Sequence, residues 1–371
     1  MSNRTLKVIQ WATGSVGRAS LECIGEHPDL ELVGCYVHSR EKSGQDVGDI
    51  LGTGRVGVTT TNDAEAILGL DADAVMYAPL VPSGREVAAI LRSGKNVVTP
   101  VGWFYPERRD RDRMNRACAE GGVSLHATGI DPGGVTEVFP LILSAMSSGV
   151  TFIRGEEISD IRTYGSVDVV REVMLFGASP DKARQGPMMS LLDSGYTQST
   201  YMMTDALGID RARLRVERTL ETAVATAPID SPIGVIGPGE VAGQRFFWDG
   251  YVGDRHVSRV GVTWLMGERN LDPPWNFGEQ GERFEMEVTG DPSTRISISS
   301  WHPTSVEEGL RRNPGLVATA AHCVNAIPVV VAAPPGLRTS LDLPMITGRA
   351  HSSLTEPLTE PLTEPLTEEH R

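Results

Sequence analysis

Short apolar runs alternate with longer amphipathic stretches through the first third of the chain. Leu6–Trp11 is brief and apolar, and Gly14 and Gly17 punctuate the residues after it. Val16, Ala19, Cys23 and Ile24 then recur at helical spacing. His27-Pro28-Asp29 ends that helix, and Glu31–Val37 reads as a second strand. Asp73–Ala78, Lys95–Thr99 and Val123–Thr128 are further strands of the fully buried type, with helices at Ser83–Arg92 and Pro106–Glu120 between them. The alternation predicts an α/β domain over residues 1–134, a doubly wound parallel sheet with right-handed crossovers.

The pattern changes after Gly134. Val135–Met146 reads as a helix leaving the sheet, and residues 166–206 as helical, with methionine pairs at 188–189 and 202–203 that suit core packing. Beyond them the spacing is two: Val260, Val262 and Trp264 share a face, as do Phe284, Met286 and Val288, and Ile296 and Ile298. This predicts a second, α+β domain over residues 135–313 with a mostly antiparallel, half-buried sheet. Residues 314–350 form a return segment on the first domain, with a helix at Pro314–Asn325 and an apolar run, Ile327–Ala332, able to rejoin the first sheet. Residues 351–371 repeat Leu-Thr-Glu-Pro, and a proline every fourth position predicts disorder.

The strand–helix junction at Val8–Arg18 carries the strongest chemical signal. Aligned to the dinucleotide fingerprint G-x-G-x-x-G, it reads Ala12, Thr13, Gly14, Ser15, Val16, Gly17. Gly14 lets the backbone approach a pyrophosphate, Gly17 lets the helix pack close, and the helix N-terminus offers free N–H groups. Alanine at the first glycine position suits a turn of negative φ. In this context, the fold class is Rossmann. NAD-binding chains place an acid at the end of the second strand, but here the residues are His38, Ser39 and Arg40. A hydroxyl and a guanidinium suit a ribose 2′-phosphate, so NADP(H) is the preferred cofactor and NAD(H) the other possibility. Ala78, Pro79 and Thr99, at the ends of the next strands, flank the same crevice.

Composition narrows the partners. The formal charge of −14 argues against nucleic acid, and the absence of an apolar run near the length of a membrane span argues against a membrane. The four cysteines show no metal or disulfide spacing, and the N-terminus enters a strand without a leader-like segment. Together these predict a cytoplasmic protein with reduced thiols, no metal and a small-molecule substrate.

Five segments together resemble the dihydrodipicolinate reductase-like oxidoreductases, in the branch of 2,4-diaminopentanoate dehydrogenase and the NAD(P)H-dependent amine dehydrogenases. They are Val8–Arg18, Gly34–Gly52, Gly94–Thr99, Ala127–Gly134 and Asn325–Pro344, and Tyr36-Val-His-Ser-Arg with Asp46-Val-Gly-Asp-Ile-Leu-Gly52 is the most particular pairing. The resemblance implies hydride transfer to or from a C=N or C=O carbon, and a homodimer. The His-His pair and K-x-x-x-S-G-T segment of true dihydrodipicolinate reductases are missing. The amine dehydrogenases also carry a catalytic glutamate just after the strand that matches Asn96–Thr99. Here that stretch is Pro100-Val-Gly-Trp-Phe-Tyr-Pro106, with Trp103 near the acid's place and Glu107 the nearest acid.

Hydride transfer requires a dry pocket and, for a carbonyl, a proton donor. Trp103 and Phe104 are candidate substrate-binding residues, and Tyr105 and Glu107 candidate acids. Glu107 also suits the first turn of a helix. Asp131 either contacts substrate or caps the following helix. Tyr164 falls where the related enzymes place a pocket tyrosine. His126 reads as a core histidine, and His256 and His302 as residues of the antiparallel domain. The expected activity is an NADP(H)-dependent, amine dehydrogenase-like oxidoreductase. Alternatives are a ketone or aldehyde reductase with a tyrosine acid, or a catalytically silent NADP(H) sensor.

Overall fold

The computed structural model describes residues 4–350 and residue 354. The remainder of the Leu-Thr-Glu-Pro tail, expected to be disordered, lies outside the described residues.

Seven parallel strands make the first sheet: β1 (Leu6–Trp11), β2 (Leu30–Tyr36), β3 (Thr60–Thr61), β4 (Ala74–Tyr77), β5 (Asn96–Thr99), β6 (Ser124–Ala127) and β16 (Gly336–Arg338). Their order is β16-β6-β5-β4-β1-β2-β3, so the chain reverses direction across the sheet between β1 and β4. Such a switch point opens a crevice at the carboxyl ends of the strands. The central strands have no solvent-facing side, which is why they read as unbroken apolar runs: Val8, Ile9, Val75, Met76, Val97 and Val98 are all fully buried. The Ser15–Glu26 and Pro314–Ala332 helices cover one face through Ile24, Cys323, Val324 and Ile327. The Gly84–Arg92 and Arg108–Gly121 helices cover the other through Val87, Ile90, Met114 and Cys118.

Ile327–Ala332 does not rejoin the sheet. It is the last part of the Pro314–Ala332 helix, which runs through Pro328, and β16 is the strand that returns, beside β6. The β-branched run is strand-like in composition, but burial against the sheet overrides that preference. This helix is apolar and long enough to cross a membrane by composition; it lies on the sheet, with Ala320, Ala326 and Val330 buried.

The second sheet holds β7 (Ser148–Asp160), β8 (Leu214–Ala225), β11 (Val241–Val252), β12 (Arg255–Leu265), β13 (Leu271–Asp272), β14 (Arg283–Asp291) and β15 (Thr294–Ile298), in the order β13-β8-β11-β12-β7-β14-β15. It is antiparallel except where β12 runs parallel to β7. A hairpin of β9 (Ile229–Ser231) and β10 (Gly234–Ile236) stands beside it. Residues 166–206 are not one helix: a π-turn at Val169–Val173, a short helix at Pro180–Arg184 and a long one at Met188–Ala206 are separated by loops. Pro180 and Pro187 each open a new helix rather than continue an old one. Met202 and Met203 are both buried, Met203 in the second sheet's core.

Side chains alternate between the two faces of the sheet along β7. Along β7, Arg154 and Glu156 face one side, where Arg154 bonds Glu156 at 2.8 Å and Glu287 at 2.6 Å. Ile153, Gly155, Glu157 and Ser159 take the other side, where a Cβ on Gly155 would stand 2.3 Å from the Val135 carbonyl oxygen. The first side is charged; the second packs on the helices.

Candidate active site

At the first strand–helix junction, Ala12 has φ of +74°. The turn therefore keeps the left-handed conformation that a glycine would take easily, contrary to the negative φ expected for alanine. Alanine is the smallest residue that bears the strain of a Cβ there. Gln10 helps to fix it, donating from Nε2 to the Ala12 carbonyl at 2.8 Å. Gly17 is required by contact: a Cβ there would lie 2.2 Å from the same carbonyl oxygen. Gly14 meets nothing within 4 Å and caps the Ser15–Glu26 helix, whose first turn, with Ser15 and Val16, thus opens on free space.

That space is a cavity of about 430 Å³ between the two halves of the sheet. Ala12, Thr13 and Gly14 line one side, Ala78 and Pro79 the opposite one. His38, Ser39 and Lys42 close the end beyond β2, and Lys42 Nζ lies 3.4 Å from Thr13 Oγ1. Arg40 is beside this wall but outside it. Thr99 is buried, its hydroxyl held by Val101. Trp11 stacks on Tyr36 at 4.0 Å beneath the cavity, and Tyr77 donates to Glu86 at 2.7 Å. The Asp46 motif is structural: its carboxylate accepts from the N–H groups of Gly48, Val56 and Gly57 at 2.8 to 2.9 Å and folds the connection below this wall. The open helix N-terminus and the glycine contact fit the pyrophosphate of a dinucleotide.

The segment after β5 turns back through Gly102 at φ +70° and Trp103 at φ +54°. The turn drives Trp103 and Phe104 into the first domain's core, where they are 8% and 2% exposed. Tyr105 points to the second domain. Its hydroxyl donates to Asp205 Oδ2 at 3.0 Å, its N–H donates to Gln198 at 2.7 Å, and its ring lies below Arg111 at 4.9 Å. Burial, then the bond to Asp205, push its phenol above the usual range. Glu107 is exposed at the N-cap of the Arg108–Gly121 helix, without a capping bond of its own.

Asp131 caps nothing. The π-turn after it starts from Gly133; both Asp131 carboxyl oxygens are shielded from solvent and make no well-aligned hydrogen bond, although the Tyr196 hydroxyl and the Glu157 carboxyl stand beside them. Around it stands a set of buried acids. Glu157 Oε1 accepts from Ser159 Oγ at 2.7 Å and Trp264 Nε1 at 3.1 Å. Ser159 Oγ is 2.8 Å from His302 Nε2, so His302 joins this group, whereas His256 is paired with Asp249 and His126 with the Arg338 carbonyl. Glu137 accepts from Thr136 at 2.7 Å and from Ser199. Burial, then the Glu157 charge, push Asp131 well above the carboxylate range. Burial alone raises Glu157, and takes Glu137 to about 7. Tyr164 and Tyr196 are raised by burial and by these acids. Among the described residues, no arrangement of three or more His, Cys, Asp or Glu could hold a metal.

Residues 135–354 match the family model described as the 2,4-diaminopentanoate dehydrogenase C-terminal domain. The chain is also 32% identical over 361 residues to the amine dehydrogenase of Streptomyces virginiae, covering 92% of this chain and 96% of that one. This chain belongs to the 2,4-diaminopentanoate dehydrogenase family. The family's Acetoanaerobium sticklandii 2,4-diaminopentanoate dehydrogenase is 25% identical over 246 residues, 65% of this chain and 64% of that one. The solved amine dehydrogenase of Mycobacterium smegmatis shares the fold, with a TM-score of 0.75 and 20% identity over 94% of this chain and 98% of that one. Membership makes the chain a nicotinamide-dependent dehydrogenase and accords with the Rossmann domain and mixed second sheet.

In this member of the 2,4-diaminopentanoate dehydrogenase family, the sequence-selected residues fall into three places. Ala12 to Gly17, His38, Ser39, Ala78 and Pro79 gather at or beside the cavity. Trp103 and Phe104 lie in the first domain's core, and Tyr105 reaches the second domain. Asp131 and Tyr164 adjoin the buried acids. Lys42, Glu137, Glu157, Tyr196 and Ser199 were not singled out from sequence. Glu157 did leave a trace: in a period-two strand it shares a face with Ile153 rather than with Arg154 and Glu156. Tyr196 and Ser199 left none, because the Met188–Ala206 helix is ringed by small and polar residues that do not mark its buried side.

Proposed function

We propose that the chain is an NADP(H)-dependent amine dehydrogenase. It interconverts a small, partly apolar amine and the matching carbonyl compound by hydride transfer at a C=N carbon. The observation that carries this reading is the dinucleotide cavity, open at the helix N-terminus and bounded by Ser39 and Lys42 in place of an acid. When bound, the nicotinamide supplies or takes up the hydride. The protein's part is to hold the phosphates on the first turn after Gly14, to receive the 2′-phosphate at Ser39 and Lys42 with Arg40 beside them, and to exclude water.

Two relatives named as amine dehydrogenases support an amine substrate. The substrate lies where the segment after β5 meets the second domain, with its apolar part beside the Trp103–Phe104 turn and its nitrogen towards Asp131. Arg154, Glu156, Glu285 and Glu287, on the charged side of the second sheet, form the face on which two chains pair, and the protein works as a cytoplasmic homodimer. NADP⁺ reduction with a panel of primary amines, and NADPH oxidation with ketones or aldehydes plus ammonium, test the reading. Turnover with amines supports it. NADPH oxidation by carbonyl compounds alone, without ammonium, would replace it with a carbonyl reductase.

A further inference from the structure

Buried acids in this protein come in two kinds. On the charged side of the second sheet, Glu156, Glu285 and Asp249 are paired with guanidinium groups: Arg154 with Glu156 at 2.8 Å, Arg283 with Glu285 at 2.9 Å, Arg259 with Asp249 at 2.7 Å. On the other side, Asp131, Glu157 and Glu137 make no ion pair among the described residues, and everything that bonds Glu157 and Glu137 is a neutral donor. Arg162, close in sequence, is held by Asp160 at 2.5 and 2.9 Å. Two neighbouring buried carboxyls without a countercharge cost stability, a cost that holding one proton between them would reduce. Removing an unpaired buried charge would help the fold, so its presence calls for a partner of opposite sign.

Position says where that partner comes from. Asp131 follows β6 at the same sheet edge as the dinucleotide cavity. Thr128 N–H bonds the Thr99 carbonyl at 2.9 Å, and a Cβ on Gly129 would touch Pro100 at 3.8 Å. Pro132 lies against Gly195, which in turn neighbours Phe104. The Asp131 carboxyl, which has no countercharge among the described residues, is therefore built into the junction where the segment after β5 meets the second domain.

We propose that Asp131 and Glu157 form the subsite for the substrate's nitrogen, with a primary alkylammonium ion as the missing countercharge. The inference rests on the amine reading above and assigns that reading its acid. In the oxidative direction, an N–H bond of the ammonium breaks and an O–H bond forms on the ionised pair. The freed lone pair then allows the α-C–H bond to break, its electron pair leaving as hydride to NADP⁺. The amine is oxidised to an iminium ion and the nicotinamide is reduced; water adds to the iminium carbon and ammonia departs. Trp264 and Ser159 both donate to Glu157 Oε1 and so fix its carboxyl beside Asp131. The titratable groups that face the pair are Tyr196 and Glu137 from the helical side, Tyr164 and His302 from the second sheet's side, and all are neutral or acidic.

The test uses the full-length protein with NADP⁺ and tert-butylammonium or 1-adamantylammonium, which have no α-hydrogen and cannot turn over. Calorimetry at pH 7 in two buffers of different ionisation enthalpy reads proton release. An ammonium entering the pair expels its shared proton, so release close to one proton per site is expected, with none for tert-butanol or 1-adamantanol. Asp131→Asn and Glu157→Gln should each weaken ammonium binding by about tenfold or more and abolish the release. Both variants should bind NADPH as the wild type does, which confirms that they are folded. Unchanged ammonium affinity and proton release in both folded variants would overturn the assignment. If wild-type turnover with amines persists in them, the amine reading survives and only this subsite fails. If the wild type neither turns over nor binds any amine, the reading itself fails.

Discussion

Gly17 and Ala12 stand so close that a Cβ on the glycine would lie 2.2 Å from the alanine's carbonyl oxygen. The contact sets how near the Ser15–Glu26 helix comes to β1, and so where its first N–H groups point. Gly17→Ala must push the helix away from the strand. NADPH should then bind at least about tenfold more weakly, a loss of about 1.4 kcal/mol, read by fluorescence titration. Gly14→Ala, which faces open space, should leave the melting temperature unchanged and obstruct only the pyrophosphate.

Lys42 carries the second prediction. Its ammonium lies 3.4 Å from Thr13 Oγ1 at the cavity wall, whereas Arg40 is outside that wall. Lys42→Ala should raise the Kd for NADPH about tenfold and leave that for NADH within about twofold, because only NADPH carries the 2′-phosphate. Arg40→Ala should have the smaller effect. The reverse ranking, read by the same titration, would return the phosphate contact to Arg40.

Local chemistry made the dinucleotide half of the site legible. Gly14, Gly17 and the strand end at Ala78 shape the cavity through backbone geometry, which short motifs encode, whereas Thr99, expected beside it, is buried outside its lining. The acid cluster is assembled differently. Asp131 comes from a loop after β6, Glu137 from a π-turn, Glu157 from β7 and Tyr196 from a helix that follows two interruptions. No spacing in the chain joins them; only the packing of the helices on the second sheet does. Ala12 and Ile327–Ala332 misled for a related reason. Packing outweighed local preference in both: the Gly17 backbone seated against the Ala12 carbonyl in one case, burial on the sheet in the other.

Tyr105 bears on which residue moves protons. Its hydroxyl is committed to Asp205, and Arg211 donates to the same carboxylate oxygen at 2.8 Å. A phenol raised by burial and by an anionic acceptor is a poorer acid. Tyr105→Phe should therefore keep kcat within about threefold while lowering stability by about 1.5–3 kcal/mol, the worth of a hydrogen bond to a charged group. Thermal melting and steady-state kinetics read the two effects. A fall of about a hundredfold in kcat without a change in melting temperature would make Tyr105 the proton donor after all.

Glu137 ties the acid cluster to pH. Burial raises its carboxyl from an ordinary 4.5 to about 7 in the folded protein. Between those values the folded state keeps a proton that the unfolded state has lost. Stability from this group is thus fully present below about pH 4.5 and falls as pH rises, by about 1.4 kcal/mol per unit, until ionisation in the folded state near pH 7 ends the loss. The total is on the order of 3 kcal/mol. Glu137→Gln cannot ionise, and it can keep both neighbours: its carbonyl oxygen accepts from one hydroxyl of the Thr136 and Ser199 pair, and its amide donates to the other. Chemical denaturation from pH 4.5 to 8 should show the variant and the wild type converging at the acid end, with the variant more stable at pH 8. Parallel curves across the range would mean that Glu137 is ionised in the folded protein throughout, with its charge balanced by a group other than Thr136 and Ser199.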